Sequence, residues 1–444
     1  MCGNEYWVRV LDMRFKFATF GSMAHPVIVI GAGGAGLLAA WKAALSGAPV
    51  LLFESNSRAG VKILISGGGK CNVTHAGTIA ALLSAFSERE RRFLKPSFYK
   101  FSNQDILEVL ASEGVETTAR PNGRVFPTSE SAKHVMAAFK TMLGRTNVTI
   151  RLNSRVDEII SEHNAVTGVR VGGELVLTSH LILATGGVSY PKTGTTGDGY
   201  RWAAALGHTI VPLRAALAPM IVAPPLPREW QGVAIRDCRL FALASRRRIG
   251  SWDDDLLFTH EGVSGPAALE LSRSVASARE SGVVDLYVDF APGRDAETLD
   301  DDLNASVQSN RSRSIGTILE TWMPNRLVQP LLQSAGVDGQ VRGHVLPREP
   351  RRAIAHALKG WHIGRVAAIP IERGEVTAGG VALNEVNPQT MQSRIVRGLY
   401  LCGEVLDIAG PIGGYNLQAA FSTGFVAGNS AAADWLRASA QPDR

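Results

Sequence analysis

Val27-Ile28-Val29-Ile30-Gly31-Ala32-Gly33-Gly34-Ala35-Gly36 decides the fold of this chain. Four consecutive β-branched apolar residues read as a strand hidden on both faces, the pattern of a parallel sheet covered above and below. The next six residues match G-x-G-x-x-G and lead into a helix rich in Ala and Leu, Ala35 to Ser46. In such a turn Gly31 permits the tight bend, Gly33 lets backbone N–H groups approach a pyrophosphate, and Gly36 lets helix and strand lie close together. The positive end of the helix then faces the phosphates. Val50-Leu51-Leu52-Phe53 supplies the next strand, so the segment predicts one right-handed βαβ unit. Glu54 closes that strand, where a carboxylate accepts hydrogen bonds from both ribose hydroxyls and repels a 2′-phosphate. The expected ligand is therefore FAD or NAD rather than NADP. No second such turn follows a strand, since Gly194 to Gly199 comes after Tyr-Pro-Lys-Thr, which disfavours an enzyme holding two nucleotides.

Working outward, Ser102 to Glu113 and Ser131 to Leu143 predict helices, and Val148 to Leu152 and Val166 to Val171 predict strands. Leu181-Ile182-Leu183-Ala184 reads as a further buried strand ending in Thr185-Gly186-Gly187, and Gly398 to Cys402 as the last one. From about Pro212 the chain becomes Pro-rich and alternating, and from Asp300 to Leu358 polar and helix-like. The expected division is an extension at 1–24, a nucleotide-binding domain at 25–211 and 377–444, a β-rich insertion at 212–297 and 359–376, and a helical subdomain at 298–358. Leu417 to Trp435 predicts a closing helix of small residues.

With 444 residues, 45% hydrophobic and 19% charged, the composition is that of a folded protein of two or three domains. The net charge of +6 suits an anionic cofactor without forming a nucleic-acid stripe, because Arg246-Arg247-Arg248 and Arg348 with Arg351-Arg352 are short groups. Nucleic acid is thus disfavoured as a partner and a small-molecule substrate expected. Cys2, Cys71, Cys238 and Cys402 lie far apart with no CxxC pair, which argues against a metal knuckle and for a reducing cytoplasm. No run approaches the roughly 18 apolar residues that cross a bilayer. Met1 to Ser22 mixes charged and apolar residues unlike a secretory signal, so the leading segment reads as an unstructured or wrongly assigned extension. Oligomeric state is not legible.

The stretch Arg58-Ala59-Gly60-Val61-Lys62-Ile63-Leu64-Ile65-Ser66-Gly67-Gly68-Gly69-Lys70-Cys71-Asn72 resembles the signature of the BaiN/YhiN-type family of bacterial FAD-dependent oxidoreductases, with Lys70 in place of the usual arginine. Phe258 to Pro266 and Val376 to Val381 are similar to its second and third motifs, and Gly398 to Gly424 to its closing one. The resemblance implies a Rossmann-like, glutathione-reductase-type FAD-binding α/β domain carrying an inserted β-barrel-like domain and a helical subdomain. It implies that Gly31, Gly33, Gly34, Ala35, Gly36, Glu54 and Ser55 hold the nucleotide, with the backbone of Val156 at the adenine and Thr185 and Gly186 nearby. Arg58, Gly60, Lys62, Ser66, Gly67, Gly68, Cys71 and Asn72 would wrap the pyrophosphate and ribityl chain, joined by Gly403 and Glu404. Gly414, Asn416 and Leu417 would open a helix aimed at the N1–C2=O edge of the flavin, where charge gathers on reduction.

Three residues are candidates for chemistry. Cys71 sits where related flavoenzymes keep a redox thiol, but lacks a resolving partner and also reads as a small buried residue. His260 could donate a proton or simply hold a turn, and Tyr415 could orient substrate or stack on the flavin. The implied activity is hydride transfer through flavin N5 between a transient NADH or NADPH donor and an organic acceptor such as a cyclic enone or ketone. A flavin-dependent RNA-modifying or RNA-binding protein is the alternative, and a flavin-bound regulator without turnover a further one.

Overall fold

The strand Val27–Ile30 is the central member of a five-stranded parallel sheet in the computed structural model, which describes residues 25–440. The 1–24 extension expected from the sequence, with Cys2, lies outside the described residues. Strand order is Leu399–Leu401, Leu181–Leu183, Val27–Ile30, Val50–Phe53, Val148–Arg151. Ile28 stands opposite both Leu181 and Leu51, and every residue of the central strand is buried, as a sheet covered on both faces requires. The helix Gly34–Leu45 covers one face, and its buried residues Leu37, Leu38, Ala39, Ala40 and Ala43 join the core.

The closing helix, Tyr415–Ser439, runs against that first helix and starts two residues before the expected Leu417. Gly414, at φ +92°, supplies the left-handed residue from which the chain turns into it. Two glycines set the distance between the helices: a Cβ on Gly424 would lie 2.2 Å from the Ala35 carbonyl oxygen, and one on Gly428 2.2 Å from that of Ala39. The small-residue composition of this segment is thus a packing requirement.

A second body is a closed six-stranded barrel, in the order Met220–Ala223, Gly262–Ser264, Arg247–Phe258, Ala234–Ala244, Val284–Asp289, Trp361–Ala368. Closure leaves no edge strand exposed for pairing. Between its last two strands the chain forms helices Ala296–Ser309, Asn325–Ser334 and Arg348–Lys359, whose Leu303, Leu331 and Ile354 share one apolar cluster with Leu240 and Phe258 of the barrel. The antiparallel pair Ile210–Ala216 and Val376–Val381 connects barrel and sheet, Ala216 standing opposite Val376. Arg246-Arg247-Arg248 falls at the tip of the longest hairpin, with Arg246 itself in the left-handed region at φ +64°. Among the described residues no helix is long and apolar enough to cross a membrane.

Candidate active site

Packing geometry fixes the glycine turn. A Cβ on Gly36 would meet the Gly31 carbonyl oxygen at 1.8 Å, so helix and strand approach only because that position has no side chain. A Cβ on Gly33 would meet nothing within 4 Å and would project into a cavity of about 920 Å³. The first helix has neither a capping side chain nor an acid in its first turn, so its N-terminal amides are open to an anion. Glu54, at the end of the second strand, is held with one carboxylate oxygen on the Ala32 amide at 2.8 Å and the other on the Asn56 amide at 2.8 Å. The oxygen on Asn56 also accepts from that residue's side-chain amide at 2.8 Å, whereas the oxygen on Ala32 keeps a lone pair for a further donor.

The same cavity is walled by residues far apart in the chain. Of the expected binding residues, all but Gly36, Arg58 and Cys71 line it, including Ser55, Gly60, Ser66, Gly67, Gly68, Asn72, Val156, Gly186, Gly403, Gly414 and Leu417. Gly36 packs behind the wall, and Arg58 is exposed away from it. Thr185 is on the wall, and its buried hydroxyl has no hydrogen-bond partner. Such an unpaired buried group is costly and is satisfied once a polar ligand fills the space.

Lys62 reaches across the cavity wall to 2.7 Å from both Glu404 Oε2 and Ser189 Oγ. The other oxygen of Glu404 accepts from Ser189 Oγ at 3.1 Å and from the Thr377 amide at 2.8 Å. Glu404 thereby braces Lys62 while still lining the cavity. Asn416 is also a fastener: its amide donates to the Gly410 carbonyl at 2.9 Å and accepts from the Gly410 amide at 2.8 Å. The closing helix, like the first, begins with no capping side chain and no acid in its first turn. Two uncapped helix N-termini therefore border one cavity, an arrangement that favours negative charge at both.

A second part of the wall is apolar and comes from the barrel side: Leu217, Leu269, Val376 and Ile412 cluster together there. Arg120, Arg124 and Lys70 lie on the wall too, with Lys70 2.6 Å from Glu130, which also pairs with Arg120. Glu375 joins this part, its carboxyl raised above the ordinary value by burial, against the lowering effect of Lys62 and Arg124. Nearby, Glu270 accepts from the Ile412 amide at 2.6 Å, and burial lifts its pKa to about 7. The sequence reading missed Asn56, Arg124, Glu270 and Glu375. Only Glu375, immediately before the Val376 motif, carried any local signal.

The three candidates for chemistry are placed differently from the binding residues. Cys71 is wholly buried, off the wall, with burial pushing its thiol up to about 11. His260 is exposed on a barrel loop, 3.6 Å from Glu261, and is not on the wall. Tyr415 stacks on His75 at a centroid distance of 4.7 Å, behind Gly413 and Gly414.

An uncapped helix behind a glycine turn, a buried acid at the second strand and an empty volume spanning to an apolar wall define a dinucleotide-binding flavoprotein of the oxidoreductase class. The chain belongs to the family described as HI0933-like protein Rossmann domain, whose pattern matches residues 25–430, and is an FAD-dependent oxidoreductase. It is 32% identical over 399 residues to a ribosomal RNA dihydrouridine synthase of Escherichia coli (strain K12), covering 89% of this chain and 95% of that protein. It is 31% identical over 408 residues to a 3-dehydro-bile acid delta(4,6)-reductase of Clostridium scindens, covering 91% of this chain and 98% of that one. Among solved structures, a 3-ketosteroid delta1-dehydrogenase of Sterolibacterium denitrificans superposes with a TM-score of 0.51 at 15% identity, over 93% of this chain and 100% of that one. That last likeness is one of fold.

Proposed function

We propose that the chain reduces a carbon–carbon double bond conjugated to a ring carbonyl, taking electrons from NADH or NADPH that visits the site transiently. The observation carrying this reading is the single cavity whose wall joins a dinucleotide turn to the apolar cluster of Leu217, Leu269, Val376 and Ile412. A flat, largely apolar ring suits the second part, with cofactor along the first. The relatives' names point to one chemistry: a delta(4,6)-reductase of a 3-oxo steroid and a synthase of dihydrouridine each add two hydrogens to a double bond conjugated with a carbonyl.

Bound FAD would supply hydride chemistry at flavin N5. The chain's own residues do the rest. The Gly31 to Gly36 turn and the first helix receive the pyrophosphate, and Glu54 accepts from the ribose. Lys62, fixed by Glu404 and Ser189, presents a cation on the wall, and the open amides of the closing helix face the developing negative charge. The apolar cluster excludes water.

The FAD-loaded protein, reduced without oxygen and mixed with a panel of cyclic enones, tests this. Reoxidation by at least one enone, and bleaching by NADH or NADPH, is expected; no reoxidation across the panel overturns it. A second reading keeps the chemistry but places the ring in RNA. Arg124 on the wall, beside Arg120 and Lys70, is the observation that favours it. Affinity for ribosomal RNA fragments that falls steeply with salt would support RNA as the carrier, and no binding at low salt would remove it.

A further inference from the structure

Among the described residues, four carboxyl side chains reach the cavity wall: Glu54, Asp198, Glu375 and Glu404. Three are engaged. Glu54 is taken by the Ala32 and Asn56 amides, and Asp198 by Arg155 at 2.6 Å, Thr196 at 2.8 Å and Arg201 at 2.9 Å. Glu404 is held by Lys62, Ser189 and the Thr377 amide. Glu375 is different: its side chain makes no hydrogen bond and no ion pair among the described residues.

Its main chain, by contrast, is pinned. The Glu375 amide donates to the Leu217 carbonyl at 3.0 Å, and its carbonyl accepts from Ser189 Oγ at 3.4 Å. Leu217 itself sits at φ +52°, a left-handed conformation uncommon for a branched side chain and held here by burial. A fixed backbone carrying an uncommitted carboxyl into a cavity is the arrangement of a group reserved for a ligand. The charged and titratable neighbours are Lys62, already satisfied by Glu404; Arg124; the buried Glu270 carboxyl, whose proton Glu375 helps to retain; and the Tyr190 phenol, which Glu375 affects in the same sense. Burial favours the protonated carboxyl, and the two cations hold that preference in check, so the group can both keep and release a proton. No histidine lines the cavity.

We propose that Glu375 is the proton donor of the reduction. This rests on the enone-reductase reading. In the balanced step the β-carbon of the acceptor receives hydride, two electrons with one hydrogen, from the reduced cofactor. The Glu375 O–H bond breaks as a C–H bond forms at the α-carbon and the carbonyl is restored. The carboxylate left behind recovers its proton from bulk solvent once the product has left.

The test compares FAD-loaded wild type with Glu375→Gln, Glu375→Asp and Tyr190→Phe. Glu375→Gln is expected to keep its FAD and its rate of bleaching by NADH or NADPH, while anaerobic reoxidation by the enone slows by about 10²–10⁴-fold. Glu375→Asp should recover part of that loss, which separates proton supply from mere shape. Independently of turnover, infrared spectra of the oxidised holoprotein taken across pH should contain a carboxyl component that titrates above the ordinary carboxylate range and that Glu375→Gln removes. If wild type reoxidises and Glu375→Gln matches it, or if Tyr190→Phe alone carries the loss, the assignment to Glu375 is overturned while the enone reading stands. If no enone reoxidises wild type, both fall.

Discussion

Lys62 Nζ lies 2.7 Å from Glu404 Oε2, a direct link between the glycine-rich loop and the closing motif, segments separated by 342 positions in the chain. Neither partner is fully buried, with 28% and 19% of their side chains exposed. Removing one leaves the other half-desolvated and unpaired. Lys62→Met or Glu404→Gln should each weaken FAD retention by about 1–3 kcal/mol, and the double variant should cost less than the sum. Fluorescence titration of apoprotein with FAD measures both; additive losses would show that the pair does not act as a unit.

Gly33 and Gly36 separate a ligand role from a packing role within one turn. Gly36→Ala places a methyl 1.8 Å from the Gly31 oxygen and should destabilise the apoprotein by more than about 1–3 kcal/mol. Gly33→Ala meets no protein atom and should leave apoprotein melting unchanged while abolishing the yellow colour of the purified protein. Equal melting losses in the two variants would contradict this division.

His208 provides a pH dependence unconnected with the site. Its Nε2 is 2.8 Å from Ser393 Oγ, which already accepts from the Ile395 and Val396 amides and so must donate its own proton to the ring. Nδ1–H then donates to Glu385 at 3.0 Å, leaving a neutral imidazole. Burial accordingly holds the pKa below its ordinary 6.5, with the Glu385 contact acting in the opposite sense. Because the unfolded ring binds a proton more readily, the stability it contributes is present above about pH 6.5 and is lost as pH falls through the folded value. The Tm of wild type should drop between pH 7.5 and 5.5 by more than that of His208→Gln. Parallel profiles would rule this out.

All three described cysteines are buried, and Cys71 and Cys238 have thiols raised to about 11 and about 12. Native protein at pH 8 should resist alkylation at Cys71, Cys238 and Cys402 over hours, read by peptide mass mapping, and react at all three once denatured. Cys71→Ala should retain FAD and reduction by NADH or NADPH; a lost rate with retained FAD would return the thiol to the mechanism.

How much of this could be read without coordinates follows from where the constraints are local. Val27 to Glu54 was legible because a strand buried on both faces, a glycine turn and a terminal acid all lie within one βαβ unit. The residues themselves showed the barrel only as alternating texture, and its barrel-like form came from the family resemblance. Its long strands Ala234–Ala244 and Arg247–Phe258 carry outward charges, such as Arg239 2.5 Å from Asp253, that pair across the hairpin and mask the inner apolar face. Of the far wall only the Val376 motif and the acid before it were marked in the sequence. Arg124 and Glu375 meet through the tertiary fold alone, and nothing adjacent to Arg124 marks it. His260 shows the converse: its loop is similar to a family motif, yet its side chain turns outward beside Glu261.

The close approach of Gly424 and Gly428 to the carbonyls of Ala35 and Ala39 makes the position of one helix depend on the other. The helix Gly34–Leu45 opens at the glycine turn, but the surface it leans on belongs to a segment far along the chain. A bulkier residue at either glycine would therefore push the first helix off its support and disturb the glycine turn from a distance.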